Sequence, residues 1–476
     1  MASEDPRNRE HGEQLPLLYQ SPSPPEEASR LSLQVIPRRS VVKLHNAAFI
    51  TLSAVLNLVV ATAGGIGMVT LPGSFASVGW VEGILLLVIA GLAAALSLIL
   101  LNRAANITGN AQSYASLVSH VLGEAGSITL EALTLAYCCG QVVAYLGAIG
   151  GQVVSLLSYL VGINISIHQA IACVAFLGMF PLSLLPEAGG MRFAGVLGTA
   201  CMMYIVLAVV LGDGTSAMAG GVCSLEAASN AHDESAPNVP IPFSPSLTVM
   251  LKNAPIFLFA MNASVTYVPV RYEQKNLLLG HYHQYESLEL KQTKAEQASW
   301  RLIWAAILAA GLFYLSCSGV AYAAYCNAVP ENVVDAWPLA WMPGLLARAF
   351  LAIELTVAAA GIYIPLGRAA FWHLRYGPDE TVAASGLTRL VVTLGVVATG
   401  AIGSMALGGA LTLPLAVTSA LCVTAQMFVL PGLCMFRLQK GNAPALIPGG
   451  SLAAVAFAAV GAAFGALSLV ALFGLL

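Results

Sequence analysis

From about residue 46 onward the chain alternates long apolar runs with short polar breaks. Eleven runs approach the roughly 20 residues that an α-helix needs to cross about 30 Å of hydrocarbon. The expected spans are 46–76, 81–102, 128–160, 167–185, 191–212, 247–270, 302–326, 349–373, 388–408, 411–436 and 450–476. Residues 1–45 have a different texture. Their Pro-, Ser- and Glu-rich stretch SPSPPEEASR cannot bury enough surface to fold, so this segment is expected to be a disordered cytosolic tail. It lacks the apolar stretch of a cleavable signal peptide, which leaves the first span as the expected membrane anchor.

Composition agrees with the pattern. Of 476 residues, 58% are apolar and only 9% charged, too few to build the water-facing shell of a soluble domain of this size. Net charge is −3 with no basic cluster, so a nucleic-acid partner is not expected, whereas the lipid bilayer is. The nine Cys are scattered through apolar runs without metal-ligand spacing, and no metal or cofactor site is expected.

Placed along the chain, the charges predict topology. With the N-terminus in the cytosol, eighteen of the twenty Lys and Arg fall on the inner side, and only Lys252 and Arg348 fall outside. Residues 193–251 contain no Lys or Arg but do contain Asp213, Glu226, Asp233 and Glu234, so 213–246 reads as an exofacial or lumenal loop and 272–300 as a cytosolic one. An odd number of spans then places the C-terminus outside.

Two spans are interrupted. The first contains ATAGGIGMVTLP, with Gly64, Gly65 and Gly67 followed by Pro72. Five spans later, APIFLFAMNASVTYVPVRYE carries Pro255, Pro269 and the polar cluster Asn262, Ser264 and Thr266. Glycine in a helix interior costs roughly 1 kcal/mol, and in lipid the freed backbone groups need partners. Glycines of this kind also let neighbouring helices pack closely. Interruptions at corresponding positions of two halves, however, point to a binding site between inverted repeats.

These residues resemble the amino acid/auxin permease family. Gly65-Ile66-Gly67-Met68-Val69-Thr70-Leu71-Pro72-Gly73-Ser74-Phe75 fits the family's first-helix frame, and YVPVRYEQKN (267–276), GVAYAAYCNAVPENV (319–333) and YIPLGRAAFWHL (363–374) are similar to the ends of its helices 6, 7 and 8. The resemblance implies an all-α polytopic membrane protein of the LeuT type: a five-plus-five inverted repeat with an eleventh helix, helices 1 and 6 being broken. It also implies an amino acid substrate held between those helices. Amides around Gly64, Gly65, Gly67 and Met68 would receive its carboxylate, and Asn262, Ser264 and Thr266 are candidates for its ammonium group. Some family members bridge the regions that hold Cys223 and Cys326, so these two are a candidate disulfide.

Glu354, set in an apolar run about six residues into its span, is the candidate for coupling to protons. A carboxylate at that depth is expensive and usually pairs or moves protons; the competing reading is that it snorkels to the outer interface or pairs with Lys252 or Arg348. Thr356 lies where some family members supply a sodium ligand, but its neighbours Ala358 to Ala360 offer no hydroxyl. In the tail, Glu13, Leu17 and Leu18 form an acidic dileucine pattern of the kind that sorting adaptors read. The expected activity is secondary active transport of L-amino acids by proton-coupled symport, at the plasma membrane or a vacuolar or lysosomal membrane. Sodium coupling and an amino-acid sensor of the same fold are the alternatives. No enzymatic constellation is present, and no GxxxxGK[ST] motif points to ATP.

Overall fold

The structure is a computed structural model that describes residues 47–63, 65–109, 111–185, 198, 200–224, 239–281, 288–376, 386–440 and 450–474. Gly64 and the tail residues Glu13, Leu17 and Leu18 lie outside them. The described residues contain helices and no strands. In chain order these are α1 (Ala47–Ala63), α2 (Gly67–Val78), α3 (Trp80–Ile107), α4 (Tyr114–Leu122), α5 (Glu124–Leu160), α6 (Ile167–Ser183) and α7 (Ala200–Met218). They continue as α8 (Leu247–Ala260), α9 (Ser264–His281), α10 (Leu288–Tyr325), α11 (Met342–Tyr376), α12 (Gly386–Ala406), α13 (Thr412–Lys440) and α14 (Gly450–Leu472).

Eight of these, α3, α5, α7 and α10 to α14, are each long and apolar enough to cross a bilayer unaided. Their outer surfaces carry large apolar side chains in the open, Leu452 at 75% and Ile402 at 68% exposure among them. Such faces suit lipid and would be untenable in water. Short polar segments set where helices begin. Ser166 caps α6 by accepting from the Gln169 amide while Gln169 Oε1 accepts from the Ser166 amide, and Ser113 and Ser116 make the same reciprocal pair at α4.

Both interrupted spans are broken in the structure. The first divides into α1 and α2 around Gly65-Ile66, and the second into α8 and α9 around Met261 to Ala263. α1 packs beside α9, and α2 beside α8, so the two gaps face one another inside the bundle. α10 packs against α1, α2 and α3, while α5 forms the opposite wall against α11, α12 and α13.

Several expected boundaries move. Residues 272–300 are mostly helical, because α9 runs through His281 and α10 starts at Leu288, so this polar sequence continues helices rather than forming a loop throughout. The exofacial loop expected from Asp213 starts later: the helix continues through Gly220, and Asp213 is buried, accepting hydrogen bonds from Trp337 Nε1 at 2.8 Å and Tyr325 Oη at 3.0 Å. Charge pattern alone treats every carboxylate as solvated, and these two donors are what removed this one from water. Cys223 and Cys326 form a disulfide, with Cα atoms 5.2 Å apart and a sequence separation of 103.

Gly79 shows how tightly one end of the bundle is folded. It turns the chain from α2 into α3 at φ +89°, and the amides of Trp80 and Val81 then donate to the carbonyls of Ile241 and Pro242. A Cβ at this position would come within 2.7 Å of the Ile241 carbonyl oxygen, a backbone atom with little room to move. Gly79→Ala should therefore destabilise the fold by about 1–3 kcal/mol through left-handed strain alone, with the clash added. A fall in the thermal midpoint of the purified protein checks this, and an unchanged midpoint would contradict it.

Candidate functional site

The gap between α1 and α2 is enclosed by protein. At the end of α1 the Thr62 carbonyl accepts from Tyr314 Oη at 2.8 Å, so an aromatic hydroxyl from α10 satisfies a carbonyl that helix continuation would have used. On the other side Met68 N donates to Gly65 O, and Val69 N and Thr70 N donate to Ile66 O, each at 3.1 Å. The Met68 amide, expected to face substrate, is thus engaged by Gly65 in this conformation.

Glycine is needed here for close approach. A Cβ on Gly65 would sit 2.9 Å from Tyr145 Oη, and one on Gly67 would sit 3.3 Å from Tyr314 Oη and 3.6 Å from the Cα of Ala260 in α8. The start of α2 is therefore pressed against aromatic hydroxyls and against the second broken helix.

At the second gap the expected polar cluster is present and mostly satisfied locally. Asn262 Oδ1 accepts from the Ser264 amide at 3.2 Å and caps α9. The Thr266 hydroxyl donates to Ala263 O, and the Ser264 hydroxyl lies 3.4 Å from that of Ser97 in α3. Of the three, Asn262 acts as a cap in this structure, and Ser264 joins the second break to α3.

Sequence reasoning missed the far wall. Tyr137, Gln141 and Tyr145 recur every four residues along α5 and so share one face. Tyr137 packs on Phe259 at 6.3 Å between ring centroids, and Tyr363 packs on Tyr137 at 6.0 Å and on Tyr145 at 5.3 Å. Tyr363 ends the π-helical turn Ala359–Tyr363, which widens α11 and re-aims its side chains. Gln141 lies between the two tyrosines, is fully buried, and neither of its amide atoms has a hydrogen-bond partner. Three polar side chains at four-residue spacing inside an apolar span were a readable signal, obscured because tyrosine counts as apolar in composition.

Glu354 sits deeper than its expected span implied. α11 begins at Met342, which puts Glu354 about 18 Å along the helix axis, at 2% exposure, with Oε2 lacking any partner. Neither proposed cation reaches it. Arg348 binds Asp335 at 2.7 Å, Gln152 Oε1 at 3.0 Å and the Trp337 carbonyl at 3.0 Å, and Lys252 lines a separate cavity. Gly198 lies against the Glu354 stem, where a Cβ would be 3.6 Å from Cγ. The Thr356 hydroxyl donates to Ala352 O at 2.7 Å, an ordinary intrahelical bond that leaves its oxygen lone pairs free to accept.

This arrangement of two facing helix breaks, an aromatic and amide wall and a buried unpaired carboxylate can be compared with known proteins. The pattern of transmembrane amino acid transporter proteins matches residues 50–275 and 287–473. No curated protein matches the sequence. Among solved structures, one described as the inward-facing conformation of Mhp1 superposes with a TM-score of 0.52 at 16% identity, covering 88% of each chain. That likeness is one of fold. The chain is a multi-pass membrane protein that belongs to the family of transmembrane amino acid transporter proteins.

Proposed function

We propose that this protein is a secondary active transporter that moves L-amino acids by proton-coupled symport, alternating access around the two helix breaks. The single observation carrying this reading is that the α1/α2 and α8/α9 gaps face each other within the bundle, with Gly65 and Gly67 exposing backbone at their meeting point. Half-helix ends of this kind can hold a carboxylate by backbone amides and an ammonium group by carbonyls, with no obligatory Arg. The reading takes the α1/α2 pair, α6 and the α8/α9 pair as three further crossings beside the eight long helices. That makes eleven, with the N-terminus cytosolic and the C-terminus on the opposite side.

Proton coupling rests on Glu354. A buried carboxylate with no cation or donor on Oε2 is tolerated only if it is protonated for part of the cycle. Gln141 supports a substrate with a polar side chain. Its unpaired carboxamide presents one acceptor and two donors to the wall of the site, complementary to an amide or hydroxyl on the amino acid carried.

Purified protein in liposomes should accumulate labelled L-glutamine when an inward proton gradient is imposed and should only equilibrate it without one. Binding without uptake under any gradient would sink the transporter reading. Glu354→Gln should abolish gradient-driven accumulation while counterflow exchange persists, and unaltered accumulation would remove Glu354 from coupling. Gly67→Val should drive a side chain into Tyr314 and Ala260 and eliminate uptake, measured against an unchanged elution profile. Gln141→Leu should lower uptake of glutamine relative to leucine by about tenfold, the scale expected when one buried polar partner is lost. A constant ratio between the two substrates would exclude Gln141 from contact.

A further inference from the structure

A cavity of about 400 Å³ lies away from the breaks, at the end of the bundle where the chain leaves α10 and enters the segment before α11. Its walls come from five parts of the chain: Ser77 of α2, Lys252 and Asn253 of α8, Glu331 of the connecting segment, Thr412 of α13 and Leu472 of α14. The volume falls in the range of small-molecule sites, and the lining mixes polar and apolar groups in the manner such sites require.

The two charges in the cavity are the notable feature. Lys252 has no hydrogen-bond or ion-pair partner among the described residues, and it forms no ion pair with Glu331 although both line the same space. Glu331 is held in place from behind. One carboxylate oxygen accepts from the Leu411 amide at 3.2 Å and the other from the Thr412 hydroxyl at 2.8 Å, so the group is fixed at the start of α13 with lone pairs to spare. Asn253 Nδ2 donates to the Val249 carbonyl and the Ser77 hydroxyl to the Gly73 carbonyl, which leaves Asn253 Oδ1 and the lone pairs of Ser77 to accept. The cavity thus presents an unpartnered cation, a fixed anion and polar acceptors around a partly open space.

We propose that this cavity is a second binding site, for a zwitterion whose anionic group meets Lys252 and whose ammonium group meets Glu331. A free α-amino acid and a phosphatidylethanolamine headgroup share that chemistry, and Leu472 and Ile256 provide apolar surface beside the charges. The site is distinct from the breaks and does not depend on the symport reading.

Its position links it to motion of the bundle. Gly73 of α2 touches the connecting segment so closely that a Cβ would meet the Pro330 carbonyl oxygen at 2.7 Å. A ligand bridging Lys252 to Glu331 therefore ties the second half of one broken helix and the first half of the other to α13 and α14. Occupancy favours whichever conformation keeps those walls together, because a ligand shifts an equilibrium by its difference in affinity for the two states.

The test uses full-length protein in nanodiscs containing phosphatidylethanolamine and phosphatidylglycerol, with Lys252→Gln and Glu331→Gln made separately in the wild-type and Gly67→Val backgrounds. Labelled glycine, a zwitterion with no side chain, is followed by equilibrium dialysis, and retained lipid is counted by native mass spectrometry. If a free amino acid fills the site, glycine binding that survives Gly67→Val weakens by about tenfold or more with either substitution, as expected for loss of a charge-assisted contact. If lipid fills it, phosphatidylethanolamine retained by the parent protein is lost from both variants while phosphatidylglycerol is not. If neither substitution changes glycine binding or phosphatidylethanolamine retention, the site does not exist. Lys252→Gln leaves the Glu331 contacts to α13 intact, so it reports on the site even if Glu331→Gln impairs folding. Uptake in liposomes tests the transport reading separately, and neither result decides the other.

Discussion

Inside a bilayer no water is available to an unpaired backbone amide or carbonyl, so every interruption of a helix has to be answered by another part of the protein. The fold is arranged around two such interruptions. Tyr314 of α10 supplies a hydroxyl to the Thr62 carbonyl, Gly65 and Ile66 supply carbonyls to the first amides of α2, and Asn262 supplies its side-chain oxygen to the first turn of α9. These partners come from outside the broken helices or from the break itself. The gaps can therefore exist only where α10 and α5 wall them off.

Buried charges follow the same rule, and their different solutions separate scaffold from function. Asp213 is held by an indole and a phenol. Asp335 and Arg348 pair with each other and share Gln152, which locks α5, α11 and the segment before α11 together. Glu131 is buried and meets His373 at 2.7 Å, joining α5 to α11. The Asp335–Arg348 and Glu131–His373 pairs are compensated and read as structure. Asp213 Oδ2 and Glu354 Oε2 both lack a partner, but Asp213 takes two donors on its other oxygen, whereas Glu354 lies far along an apolar helix with neither Arg348 nor Lys252 on it.

Two close contacts lie on α2: with α8 at Gly67 and Ala260, and with the connecting segment at Gly73 and Pro330. The gap between the broken helices and the cavity of Lys252 and Glu331 therefore share one short helix.

Much of this was legible in the chain itself. Hydrophobic runs, the Gly64 to Pro72 interruption and its counterpart near Asn262, the isolation of Glu354 and the residue pattern of the family are local features, because helix length, helix breakage and the cost of charge in lipid are set by neighbours in sequence. What only the tertiary structure decided depends on neighbours in space. It gave Asn262 a capping bond to the Ser264 amide, placed Asp213 in a buried network rather than a loop, and paired Arg348 with Asp335 rather than with Glu354. It also assembled Tyr137, Gln141, Tyr145 and Tyr363 into one wall and brought Tyr314 of α10 to the end of α1. A polar atom's role is fixed by the partner it finds, and partners separated by a hundred residues or more carry no mark of each other in the sequence.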